Sequence, residues 1–202
     1  MSQIALPLSP TAVRPARIVI GEGNARVAEA LRTPETWPFR TAVLTGPPRS
    51  GKSLLAQWFA DSGKGETIDD ARALDEAELF HRWNRAQESG TPLLIVGGEP
   101  PWDIALPDLR SRLGAALQLE IEAPDDAMAG ELLLALAEQR DLPLGPEAAA
   151  YLVPRSPRSY AGLERLVCEI DRLSLERMAP ATQSVWRAAL EAVLGPEEPR
   201  LL

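Results

Sequence analysis

The stretch Gly46-Pro47-Pro48-Arg49-Ser50-Gly51-Lys52-Ser53 fits the pattern G-x-x-x-x-G-K-[ST] without a mismatch, and no other feature constrains the fold as much. Such a loop works between a strand and a helix. Its glycines let backbone N–H groups turn inward around a phosphate, and the helix that follows offers the positive end of its dipole. The flanks supply both elements: Thr41–Thr45 (TAVLT) reads as a buried strand and Ser53–Ala60 as a helix. Gly46, Pro47, Arg49, Ser50, Gly51, Lys52 and Ser53 are therefore candidate nucleotide-binding residues. Lys52 has the reach for β/γ-phosphates, and the Ser53 hydroxyl suits a phosphate-bound Mg²⁺. Of 21 basic residues only Lys52 and Lys64 are lysines, so the lysine in this loop stands out.

The remaining pattern extends the strand–helix alternation. Arg17–Ile20 is a short β-branched run, and helical spacing follows through Leu31. Thr33 to Phe39, with two prolines, reads as a loop. Glu76–Ser89 is helical with Leu79, Phe80 and Trp83 on its packed face, and Pro92–Val96 (PLLIV) and Leu117–Ile121 are strand candidates. Strands alternating with helices predict an α/β sandwich around a parallel sheet. Past Pro124 no strand candidate remains, and Asp125–Arg140, Gly145–Val153, Tyr160–Leu175 and Ser184–Leu194 each show helical spacing. The expected organisation is an extended arm over 1–16, an α/β nucleotide-binding domain over 17–122 and an all-helical lid over 123–202, with the Pro196–Arg200 tail frayed.

Composition narrows the function classes. The 202 residues are 45% hydrophobic and 25% charged, ordinary globular values that exclude a disordered or fibrous chain. The formal net charge of −8 disfavours direct binding of duplex DNA, which is held through basic contacts to phosphate. Cys168 is the only cysteine, so neither a disulfide framework nor a cysteine-based zinc site is available. Flanked by Leu166, Val167 and Ile170, it reads as a small buried hydrophobe. The start lacks a signal-peptide pattern and no apolar run approaches 18 residues, so a cytoplasmic chain without a membrane partner is expected. His81, beside Phe80 and Trp83, reads as a packing or surface residue.

Hydrolysis at such a loop also calls for a carboxylate on the magnesium side. Ile68-Asp69-Asp70 is the candidate for it, and the same two aspartates equally suit the N-cap of a turn over Ala71–Leu74. Intrinsic hydrolysis is accordingly expected to be weak or absent.

Several further segments carry a resemblance. A P-loop α/β domain followed by a helical lid is the plan of AAA+ proteins. Ile18-Val19-Ile20-Gly21-Glu22-Gly23-Asn24-Ala25-Arg26-Val27-Ala28 resembles the segment ahead of the P-loop in DnaA-type initiators, which implies that Asn24 helps seat an adenine; from the residues alone Asn24 equally serves as a helix cap. Leu94-Ile95-Val96-Gly97-Gly98-Glu99-Pro100-Pro101 resembles the first sensor of that family, with Gly98 and Glu99 where polar or basic residues are usual. Leu106-Pro107-Asp108-Leu109-Arg110-Ser111-Arg112-Leu113 looks like its "LPDL–SRL" segment. The resemblance makes Arg112 an arginine finger acting in trans, against the plainer reading of a helix-surface arginine, with Arg110 as substitute. Ser156-Pro157-Arg158-Ser159-Tyr160 sits where the lid's sensor arginine stands, implying that Arg158 contacts the nucleotide, with Arg155 and Arg165 close by. The segment between the P-loop and Glu76 is shorter than the family's, so a shortened core is expected.

Within that group the chain resembles the Hda branch, the regulatory inactivators of DnaA. It ends shortly after the lid, where an initiator continues into a DNA-binding domain. Gln3-Ile4-Ala5-Leu6-Pro7-Leu8 is similar to the sliding-clamp peptide at the start of Hda proteins, with Gln3, Ile4, Leu6, Pro7 and Leu8 as clamp-binding residues. The resemblance thus implies ADP or ATP with Mg²⁺ as cofactor, the sliding clamp (the polymerase β subunit) and DnaA as partners, and a possible homodimer. The implied activity is stimulation of hydrolysis of DnaA-bound ATP. Two other readings stand beside it: a free-standing P-loop ATPase, and a nucleotide-sensing DnaA-like adaptor with another partner.

Overall fold

A computed structural model describes residues 17–195. The arm with Gln3, Ile4, Leu6, Pro7 and Leu8 and the tail from Pro196 lie outside the described residues. Four parallel strands form the sheet: β1 (Thr41–Thr45), β2 (Glu66–Ile68), β3 (Leu93–Val96) and β4 (Leu117–Glu120), in the spatial order β2-β3-β1-β4. Thr41 pairs with Leu93 on one side of β1, and Ala42 with Leu117 on the other.

Strand pleating sends alternate side chains to opposite faces, and here both faces are covered. Ala42, Leu44, Leu94, Val96 and Leu119 pack beneath α1 (Glu22–Ala30) and α2 (Lys52–Asp61), together with Leu55 and the fully buried Phe59. Val43, Leu93 and Ile95 face α3 (Glu76–Ser89) and α4 (Pro107–Ala115), where Leu79, Trp83, Leu109 and Leu113 close a second core. Burial on both sides explains why β1 and β3 read as continuous apolar runs.

The helical part comprises α5 (Asp126–Gln139), α6 (Pro146–Leu152), α7 (Tyr160–Arg177) and α8 (Gln183–Leu194). Leu133, Leu152, Leu166, Val167, Ile170 and Ala189 make its core. Local chemistry sets the helix starts: Asp125 accepts the Met128 N–H at 2.7 Å, and the Ser159 hydroxyl accepts that of Gly162 at 3.1 Å. Met128 and Ala135 of α5 also belong to the core under α1 and α2, so α5 welds the helical part to the sheet.

The architecture is the expected parallel α/β sandwich with a shortened core and helices behind it. Details differ from the sequence reading. Glu66–Ile68, a poor strand by composition, is a strand, because an edge position beside β3 needs only one ladder of hydrogen bonds. Arg17–Ile20 forms no strand despite its β-branched residues. Cys168 is exposed rather than buried, its sulfur 3.0 Å from Arg140 Nη2; the apolar residues around it face inward while helical rotation turns position 168 outward.

Candidate nucleotide-binding site

The Gly46–Ser53 loop leaves the end of β1, where β3 lies on one side and β4 on the other. In an open parallel sheet this switch point is where a crevice opens beyond the strand ends. Gly51 takes φ +86° and Arg49 φ +64°, both in the left-handed region, and together they swing the loop into the first turn of α2. The N–H groups of that first turn have no partner within the helix. The Ser50 side chain is buried and its hydroxyl lacks a hydrogen-bond partner. A buried unsatisfied hydroxyl is costly, and a bound phosphate would satisfy it, so the residues present fit the group the motif implies.

Lys52 Nζ donates to the Gly46 and Pro47 carbonyls, each at 2.8 Å. Burial pushes its pKa below the ordinary 10.5, and Glu99 and then Asp69 pull it back up. Both carboxylates are therefore within electrostatic range of the lysine. Asp69 follows β2, and its carboxylate accepts the Asp70 N–H at 2.9 Å. Neither aspartate side chain caps the short turn after Asp70.

A cavity of about 350 Å³ lies over the loop, bounded by Ser50–Leu54 below and by Leu132, Leu136, Tyr160, Leu163 and Glu164 of the helical part above. It runs on toward Val19, Asn24, Met128 and Gln139. Asn24 is buried within α1; its Oδ1 accepts the Gly21 N–H at 3.0 Å and its Nδ2 donates to the Val19 carbonyl at 2.9 Å. It fixes the segment lining the inner end of the cleft while also serving the helix start. Tyr160 pins the helical part to the segment after β4: its hydroxyl donates to the Glu122 carbonyl at 2.9 Å and sits 3.7 Å from Met128 Sδ. Burial, then Asp125, pushes its phenol up to about 12. Across the mouth, Arg49 Nε meets Glu164 at 3.1 Å.

The predicted arginines stand in different places. Arg158 pairs with Asp126 at 3.2 Å and is 70% exposed. Arg155 lies over the Tyr151 ring and donates to the Tyr151 carbonyl. Arg112, on α4, rests its guanidinium 4.4 Å from the Trp83 ring and 4.8 Å from Phe80, and donates to Asn84 at 3.1 Å. Arg110 points elsewhere, donating to the Ile104 carbonyl. The structure thus brings Lys52, Ser53 and Asn24 to the lining of the cleft, sets Asp69 and Glu99 within electrostatic range of Lys52, and leaves Arg112 on a separate surface. Sequence reasoning missed Tyr160 and the proximity of Glu99 to Lys52; the signal for Glu99 was its place two residues beyond Gly97, at the end of the strand beside β1.

Known proteins bear on this arrangement. No family model matches the chain. Domain III of the replication initiation protein DnaA from Thermotoga maritima superposes with a TM-score of 0.72 at 16% identity, covering 89% of this chain and 95% of that one. The fold is that of the AAA+ P-loop proteins. Other AAA+ structures agree: the FIGL-1 AAA domain in complex with ADP (TM-score 0.62, 14% identity, 90% of this chain and 85% of that one) and a replication initiator DnaA bound to AMPPCP and single-stranded DNA (0.59, 18%, 80% and 66%). In sequence, an uncharacterized protein of Haemophilus influenzae is 30% identical over 117 residues, 54% of this chain and 51% of that protein. The chain therefore spans about half the length of this relative. Among the described residues no helix is long and apolar enough to cross a membrane.

Proposed function

We propose that this chain is a DnaA-related AAA+ regulator of the Hda type. It holds ADP or ATP with Mg²⁺ on the Gly46–Ser53 loop, and it promotes hydrolysis of ATP bound to DnaA by presenting Arg112. The observation that carries the nucleotide half is the unpartnered, buried Ser50 hydroxyl in a left-handed loop under a cleft. The regulatory half is supported by the likeness to DnaA domain III together with the collinear segments around Asn24, Arg112 and Arg158.

In this reading the loop N–H groups and Lys52 bind phosphates, the Ser53 hydroxyl is directed to Mg²⁺, and Asn24 shapes the wall that receives the adenine. Mg²⁺, when bound, neutralises developing phosphate charge. Arg158 exchanges Asp126 for the nucleotide when the lid closes. Charge builds on the γ-phosphate oxygens as ATP is cleaved, and an arginine supplied in trans speeds this about 10³–10⁵-fold, roughly 4–7 kcal/mol. Releasing Arg112 from Phe80, Trp83 and the Asn84 side chain costs about 1–3.5 kcal/mol, so the phosphate wins. Gln3, Ile4, Leu6, Pro7 and Leu8 dock on the sliding clamp, and two copies of the chain are able to pair.

The test is clamp-dependent hydrolysis of DnaA-bound ATP with wild-type chain and with Arg112→Ala. Stimulation lost in the variant supports the proposal; stimulation unchanged sinks it. A second reading, a free-standing ATPase acting on another partner, is favoured by the two carboxylates near Lys52. It requires turnover by the isolated protein that disappears in Lys52→Ala.

A further inference from the structure

The loop after β3 contains a notch filled from a distant part of the chain. Gly97 N–H donates to the Leu44 carbonyl at 2.8 Å, and the Gly98 carbonyl accepts the Gly46 N–H at 3.4 Å. Gly98 is thus tied to the first residue of the phosphate loop. A Cβ built on Gly98 would lie 2.9 Å from Arg72 Nη1 and 3.0 Å from Arg72 Cδ. The room a side chain at 98 would take is occupied by an arginine from the short turn Ala71–Ala73 beyond β2. Arg72 Nη2 also donates to the Pro101 carbonyl, which helps hold the guanidinium.

The charges around this point make the placement informative. Asp69 and Glu99 both act on Lys52, so this end of the loop repels an added terminal phosphate. Of the two cations in the loop, Arg49 is paired with Glu164 across the mouth, and the Lys52 ammonium is shared between two carbonyls. A triphosphate carries more negative charge here than a diphosphate, so it gains most from a second fixed cation. An arginine keeps its charge in any such setting. After one bond to Pro101 it still has donors in a planar fork suited to phosphate oxygens.

We infer that Arg72, seated in the Gly98 notch, is a phosphate-binding residue that acts beside Lys52 on the terminal phosphate of a nucleoside triphosphate. It sets the preference for triphosphate over diphosphate from within the chain, independently of Arg112. The inference rests on the nucleotide-binding reading above. Position 98 must then stay small, because a side chain there expels the guanidinium.

Binding of ADP and of AMPPCP to the full chain, with Mg²⁺ and followed by calorimetry, tests this. Arg72→Ala should weaken AMPPCP about ten- to a hundredfold, the range for a lost hydrogen bond to a charged group, while ADP stays within about twofold. Gly98→Ala should give the same pattern by displacing Arg72, and Arg72→Lys, which keeps the charge but not the fork, should fall between. Thermal unfolding at the wild-type temperature confirms that each variant is folded. Equal losses for both nucleotides, or unchanged AMPPCP affinity in Arg72→Ala, overturn the inference alone and show a strap between two loops. Failure of the wild type to bind either nucleotide overturns the nucleotide reading and this one with it.

Discussion

Tyr160→Phe isolates the joint between the sheet and the helical part. The ring is buried and lines the cleft over the phosphate loop, and phenylalanine preserves it, so no cavity opens. Only the hydroxyl goes, and with it the 2.9 Å bond to the Glu122 carbonyl. A net hydrogen bond is worth about 1 kcal/mol, and the orphaned carbonyl raises the cost to about 1–2 kcal/mol. For a chain of this length each kcal/mol lowers the melting temperature by roughly 2–4 °C, so a drop of roughly 2–8 °C is expected at neutral pH. The pH dependence gives a sharper signature. The phenol is pushed up to about 12 in the fold, so on raising the pH the unfolded chain ionises first. Stabilisation by the hydroxyl is therefore complete below pH 10 and is lost between pH 10 and about 12. Differential scanning calorimetry of both proteins at stepped pH should show a gap that is constant to pH 10 and narrows above it. A gap that is absent at neutral pH, or that persists undiminished toward pH 12, would refute the assignment of this hydroxyl as the pin.

Three other outcomes follow from the same geometry. Phe59→Ala removes a fully buried ring stacked on Trp37 at 5.3 Å between centroids and should cost about 3–5 kcal/mol in denaturant unfolding. Asn24→Ala strips partners from the Val19 carbonyl and the Gly21 N–H; a loss of about 1–3 kcal/mol is expected, with weaker ADP binding in the same preparation. Lys52 binds phosphate as the ammonium, and burial lowers its pKa, so ADP affinity should fall as alkaline pH passes that lowered value. Glu99→Gln removes the carboxylate with the larger effect opposing the shift and should move this fall to lower pH, read by ADP titrations from pH 7 to 10.5.

Much of the fold was legible because its signals are local. The loop motif required a strand before it and a helix after it, and both are there. Continuous apolar runs announced β1 and β3, and Glu76–Ser89 carries its own stop and start in the Asp75 cap and the left-handed Gly90. The edge strand β2 was hard to read because three residues hold little pattern, and its pairing with β3 is a non-local event. Cys168 was misplaced because neighbours in sequence do not share a helix face.

Sequence alone thus determined the phosphate loop, the parallel α/β class and the helical part behind it, since each depends on spacing along the chain. Tertiary structure alone decided which side chains meet at the cleft. Tyr160 reaches the Glu122 carbonyl, Glu99 and Asp69 converge on Lys52, and Arg72 fills the Gly98 notch across 26 residues of chain. These meetings come from strand order and from the faces on which helices pack, and no local pattern encodes either.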